Sequence, residues 1–272
     1  MKKIIVLLSA MAMAFSMADA QSLSTWKQQK RFIDAAAKDS VGKIGKRGTI
    51  SFGGSVNEMN NGSMSEELSG GAWAEFSMAA YKNRYHNFGI DVSVPINYNN
   101  FNTDGKDTLL DSTIDYNRLD IPVQIKPYLK YAFSKNLVVA PFVFASVGMS
   151  YNDVDMKATD GTSLYKDNSF ELMYNFGGGA ELQIYKFIAL TPKVTYTKVS
   201  GMDKVTQDNE FGYGTGVFGG INEGWEISLE HAVQLVKGWT LLAEYAYNFD
   251  NEGFAQDDIK AHIVKFGFRF GY

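Results

Sequence analysis

Residues 118–131 read RLDIPVQIKPYLKY, and the fold turns on how this stretch alternates. Leu119, Ile121, Val123, Ile125, Leu129 and Tyr131 take odd positions, whereas Arg118, Asp120, Gln124, Lys126 and Lys130 take even ones. Strand side chains point alternately to two faces, so the pattern predicts a strand with one oily and one charged face. Pro122 and Pro127 interrupt it. Proline brings no N–H to a ladder, so a bulge is expected at one of the two.

The same period of two recurs in ten segments, at about 48–57, 70–82, 86–99, 117–132, 137–151, 169–184, 187–199, 224–236, 238–249 and 260–272. The third sets Phe88, Ile90, Val92, Val94, Ile96 and Tyr98 against Asn87, Asp91, Ser93 and Asn97. Connections alternate between tight (KNRY, FSKN, YK, KG) and long, polar and acidic (58–69, 100–116, 152–168, 200–223, 250–259). Short turns at one end and long loops at the other are the pattern of a transmembrane barrel. A secreted sandwich would also alternate, but with strands of about 5–6 residues. Most segments here run about 11–15 residues, enough for a tilted bilayer crossing with overhang. Aromatics form two bands: Tyr81, Tyr131, Phe133, Tyr185, Phe187 and Trp239 by the short turns, Tyr98, Phe101, Tyr116, Tyr151, Phe170 and Trp225 by the long loops. Such rings favour the headgroup level. The expected fold is all-β, a transmembrane antiparallel up-and-down β-barrel of about ten strands. Eight strands are the alternative if the first hairpin folds differently.

The N-terminal residues give an address. Lys2 and Lys3, an apolar run from Ile4 to Phe15, and Ala18-Asp19-Ala20 make residues 1–20 an expected signal peptide. Residues 21–47 carry seven Lys/Arg against two acids, and Trp26, Ile33 and Ala37 share a helical face. This stretch is expected to be a basic periplasmic segment, mobile or forming a short helix or plug, ahead of a barrel over 48–272. Ten strands return both termini to the periplasmic side of a bacterial outer membrane.

Composition narrows function. The 272 residues contain no cysteine and carry a formal charge of −4, so thiolate chemistry is absent and nucleic acid is not an expected partner. The long loops hold much of the acid, including Asp104, Asp107, Asp111, Asp115, Asp153, Asp155, Asp203, Asp208, Asp257 and Asp258. No calcium-loop spacing appears among them, and no metal or cofactor is expected. There are three histidines, and only His262 lies near an acidic pair, Asp257 and Asp258. No nucleophile elbow, zinc motif or phosphate loop is present, so the chain is not expected to be an enzyme.

The closing run KFGFRFGY sets Phe266, Phe268, Phe270 and Tyr272 at alternate positions. It resembles the C-terminal signal read by the barrel assembly machinery. The stretch NRLDIPVQIKPYLKY in turn resembles a strand of Bacteroidota outer-membrane β-barrel proteins of the "porin family", through Leu119, Asp120, Ile121, Pro122, Val123 and Lys126. Pro127 stands where that family has an aromatic, with Tyr128 one place later. The resemblance implies a fold and a location, and no reaction or ligand. For a barrel in that location, outer-membrane lipid, lipopolysaccharide and envelope proteins are the expected partners.

Parity then nominates a lumen. Glu75, Asp91, Arg118, Asp120, Lys126, Lys130, Glu171, Glu181, Lys193, Glu226, Glu230, Glu244, Lys265 and Arg269 fall on the inward face, eight acids and six bases. In so narrow a barrel they are expected to pair across strands, with Glu244 beside Lys265 and Arg269, and to fill the interior. A path for ions or small solutes is the alternative. His231 falls on the lipid parity, where a bulge or register shift is expected to relieve it. Gly177-Gly178-Gly179 marks a bend or a close backbone approach.

Overall fold

The computed structural model describes residues 23–37, 41–60, 69–105, 112–134, 136–158, 160–200, 223–252 and 260–271. The expected signal peptide, Tyr272, and the loop acids Asp107, Asp111, Asp203, Asp208, Asp257 and Asp258 lie outside them. One helix, α1 (Leu23–Ala37), precedes eleven strand segments. These are β1 (Gly48–Asn60), β2 (Ser69–Lys82), β3 (Phe88–Gly105), β4 (Ser112–Leu129), β5 (Tyr131–Ser134), β6 (Leu137–Ala158), β7 (Ser163–Ile184), β8 (Ile188–Ser200), β9 (Glu223–Val236), β10 (Trp239–Glu252) and β11 (Lys260–Gly271). Every neighbour pairs antiparallel, β1 pairs with β11, and β4 pairs with β6. β4 and β5 are one strand broken at Lys130, so the sheet closes as a ten-stranded barrel. The first hairpin is in place as β1 and β2, which removes the eight-strand alternative.

The barrel is inverted relative to a soluble protein. Ile121, Val123 and Ile125 on β4 are exposed, while Arg118, Asp120 and Lys126 are buried. Phe52, Phe76, Val147, Met149, Phe176, Ile227, Leu241 and Phe268 continue the apolar exterior around the wall. Soluble monomers rarely expose contiguous apolar area beyond a few hundred Å². A belt of this kind, on a sheet without edges, is stable in hydrocarbon.

Two of the expected long loops are largely strand. β3 and β4 stay paired out to Gly105 and Ser112, and β6 and β7 to Lys157 and Ser163. These four strands run 18–22 residues against 12–14 for β8 to β11, β1 and β2. Asp104, Asp115, Asp153 and Asp155 therefore sit on strand rather than in loops.

No bulge forms at either proline. β3 and β4 keep one register, but pairing lapses between Ser93↔Gln124 and Asn97↔Asp120, the span that sets Pro95 opposite Pro122. Between β4 and β6 it lapses from Ile125↔Ala145 to Tyr128↔Phe142, the span containing Pro127. Placing two prolines face to face removes both missing donors from a single gap, so the register need not shift. His231 is likewise unrelieved: it is exposed and paired in register with Leu190 and Ala243.

α1 packs at the short-turn end. Its buried face includes Gln29, Ile33 and Ala36, with Ile33 and Ala36 packed on Ala132 and Val138. Gln29 donates Nε2–H to the Ala132 carbonyl at 2.9 Å and accepts the Ala132 N–H at 2.8 Å. Its amide thus serves a strand edge that β3, which pairs only as far as Leu129, does not reach.

Candidate functional site in the barrel lumen

Between α1 and β1, residues 41–46 fold into the short-turn end of the lumen. Val41 and Ile44 are fully buried, the former against Ala189, Ala232 and Leu242, the latter against Tyr128, Ala140, Phe142 and Phe144. The backbone is held by wall carboxylates: Lys43 N–H and Ile44 N–H donate to Glu181 at 2.7 and 3.2 Å, and Gly45 N–H donates to Asp91 at 2.8 Å. Lys130 donates to the Ile44 carbonyl. Gly42 and Gly45 fit because they lack side chains; a Cβ would lie 2.5 Å from Glu181 Oε1 or from Tyr128 Oη, and Gly45 has φ +72°. Such φ values favour glycine.

The side chain of Lys43 completes a charge network. Its Nζ lies 3.1 Å from Glu75 and 3.5 Å from Glu230. Arg269 Nη2 reaches Glu230 at 2.7 Å and its Nε donates to Ser51 at 3.2 Å. Lys193 bridges Glu226 at 3.9 Å and Glu244 at 3.3 Å, and Lys265 reaches Glu244 at 3.8 Å. Arg118 and Asp120 pair at 2.8 Å on one strand. Arg269 thus pairs with Glu230 on β9, not with Glu244 on the adjacent β10, because its guanidinium reaches past the neighbouring strand. Charges this far from water need such pairing, since an isolated one costs several kcal/mol.

Aromatic rings fill much of the remaining wall. Phe142 and Phe144 face inward and lie directly opposite Gly179 and Gly177. A Cβ at Gly179 would sit 3.0 Å from the Phe142 ring, and one at Gly177 2.8 Å from the Phe144 ring. The glycine run is thus a seat for two rings. Tyr128 over Gly89 and Trp73 over Gly267 repeat the device.

Above Lys43 the lumen keeps a cavity of about 240 Å³, lined by charged residues of the network, by Trp73, Phe142, Phe144 and Met173, and toward the long-loop end by Asn99, Thr197 and Asn248. All fourteen residues nominated from parity are buried or half-buried. Glu171 lies level with Ser150 on β6. Phe266, Phe268 and Phe270 are exposed on the exterior. His262 lies on the same exterior parity, with Nδ1 2.8 Å from Tyr245 Oη and its ring beside Tyr247. Among the described residues no three His, Asp or Glu side chains converge as a metal site. The inserted segment escaped parity altogether, since a non-strand has no period; the only visible signal was the pair Gly42 and Gly45 around Lys43 in a basic leader.

No family model and no curated protein matches the chain. Solved structures similar to it are outer-membrane β-barrel proteins. They include the translocator domain of the autotransporter NalP from Neisseria meningitidis, at 12% identity and TM-score 0.40, covering 90% of this chain and 95% of that one. Ail, the attachment invasion locus protein of Yersinia pestis, matches at 10% and 0.36, covering 84% and 100%. The NanC porin matches at 10% and 0.34, covering 82% and 100%. At these identities and scores none of them bears on what this chain does.

Proposed function

We propose that the chain is an integral bacterial outer-membrane barrel with a structural or interaction role at the envelope, its lumen filled by paired charges and stoppered by its own residues 41–46. It has no enzymatic activity. Its termini and α1 face the periplasm, its long-loop end faces outward, and its apolar belt meets membrane lipid and lipopolysaccharide. The barrel assembly machinery inserts it through the closing strand, and envelope proteins are its further partners. The resemblance of the β4 strand to Bacteroidota barrels supports the location. The observation that carries the reading is Lys43, held between Glu75 and Glu230 with its backbone bonded to Glu181. A segment fixed by side chain and main chain alike obstructs the lumen.

The refolded chain in planar bilayers is expected to show no conductance steps. A narrow channel for ions or small solutes is the second reading, favoured by the charged cavity that continues above Lys43. Steady ohmic steps from the intact chain would establish that channel and sink the stoppered barrel.

A further inference from the structure

We propose that the lumen cavity is a binding site for a small organic anion with an apolar body, centred on Lys126. Close contacts around the cavity single out one cation. Each carboxylate lining the cavity has a cation within 4.0 Å: Glu75 has Lys43, Asp120 has Arg118, Glu226 and Glu244 have Lys193, and Glu230 has Arg269. Lys126 also lines the cavity and is only 4% exposed, yet among the described residues its ammonium has no carboxylate at that distance and no hydrogen bond. Its one close partner is the ring of Phe142, 5.4 Å from Nζ to the centroid.

The inserted segment explains why Lys126 lacks a contacting carboxylate. Asp91 stands opposite Lys126 in register, but one of its oxygens takes the Gly45 N–H, and Glu75 takes Lys43. Glu75 thus contacts Lys43 rather than Lys126, and Asp91, bonded to Gly45 through one oxygen, lies beyond 4.0 Å of the Lys126 ammonium. A buried ammonium with no acceptor in contact is costly, and an anion entering the cavity relieves that cost.

The walls set the ligand's other half. Phe142, Phe144 and Met173, each 5–6% exposed, give an apolar surface beside the ammonium, while Asn175 Oδ1 and Thr195 Oγ1 line the cavity with no hydrogen-bond partner among the described residues. The space of about 240 Å³ lies below the range of roughly 300–1,000 Å³ typical of drug-sized ligands. A carboxylate on a single ring matches both the size and the surfaces. The inference rests on the seated segment, and the two fail separately: conductance tests the segment, binding tests Lys126.

The test is calorimetric titration of the refolded chain in zwitterionic micelles, with empty micelles subtracted, using benzoate, benzyl alcohol and benzylamine. Benzoate is expected to bind, benzyl alcohol to bind about tenfold or more weakly, and benzylamine not to bind. Lys126→Met should lower benzoate to the level of the alcohol, and Lys126→Arg should retain it. Equal affinity for benzoate and benzyl alcohol, absence of benzoate binding, or undiminished binding by a folded Lys126→Met chain overturns the proposal. If Lys126→Met does not fold, the three probes on the unaltered chain decide.

Discussion

The ammonium of Lys43 lies 3.1 Å from the carboxylate of Glu75, joining a segment that belongs to no strand to the wall of β2. The same ammonium is 3.5 Å from Glu230, which Arg269 also holds at 2.7 Å. Lys43→Met should therefore leave Glu75 the worse orphan of the two. Removing one partner of a buried pair costs about 3–5 kcal/mol, and the cost here is expected at or below the low end because Arg269 stays on Glu230. Adding Glu75→Gln to Lys43→Met should recover part of the loss, which guanidinium unfolding midpoints for the two chains would measure.

Gly45 and Gly161 share a left-handed backbone, with φ +72° and +84°, but differ in surroundings. A Cβ at Gly45 would lie 2.5 Å from Tyr128 Oη, whereas at Gly161 it would meet nothing within 4 Å. Gly161→Ala should cost only the backbone penalty of about 1–2 kcal/mol in a hairpin loop. Gly45→Ala should add a clash and expel residues 41–46. Limited proteolysis at Lys43 or Lys46 would show it: faster cleavage in Gly45→Ala alone.

The barrel was legible because burial on one face forces a period of two, and ten such runs separated by alternating turns leave few other folds. What escaped was whatever does not alternate. Residues 41–46 read only as part of a basic segment, mobile or forming a short helix or plug, since nothing local says that Lys43 meets Glu75 and Glu230, 32 and 187 residues away. The extensions of β3, β4, β6 and β7 escaped because their density of Asp, Asn, Ser and Thr reads as loop, although Ile114, Tyr116, Val154 and Met156 keep the period of two. The prolines misled for a related reason: bulges were the local remedy, and the remedy found sets Pro95 against Pro122 on a neighbouring strand.

α1 is clipped to the β2–β3 turn by Asp34, whose Oδ1 lies 2.7 Å from His86 Nδ1 and whose Oδ2 accepts from Lys30 at 2.7 Å. Partial burial pushes the Asp34 carboxyl up, but the bonds from Lys30 and His86 outweigh it and hold the pKa below the usual carboxylate value. A depressed folded pKa contributes stability that is present above the unfolded value of about 3.9 and is lost as pH falls through the folded one. Docking of α1 should thus weaken only in acid below the ordinary carboxylate range. Fluorescence of Trp26 followed down in pH should show the helix loosening there in the native chain, and at neutral pH in Asp34→Asn. A transition of equal midpoint in both chains would count against this clip.

The run Gly177-Gly178-Gly179 predicts an alternation of its own. Gly177 and Gly179 face the lumen opposite Phe144 and Phe142, and a Cβ at either would also strike backbone, at 2.1 Å from the Val194 carbonyl or 2.3 Å from that of Pro192. Gly178 faces outward, where the nearest atom is the Phe142 carbonyl at 3.0 Å and the next a Val143 methyl at 3.4 Å. Alanine at 177 or 179 must therefore move a strand as well as a ring, which overpacking data put at about 1–3 kcal/mol. Alanine at 178 needs only a small local shift and should cost less than about 1 kcal/mol. Phe142→Ala should cost more than any of them, about 3–5 kcal/mol, since it empties the seat that Ile44, Tyr128 and Lys126 share. Unfolding midpoints of the four chains should rank native-like for Gly178→Ala, lower for its two neighbours and lowest for Phe142→Ala. Equal losses at 177, 178 and 179 would mean that the run is a bend, with no part in seating the rings.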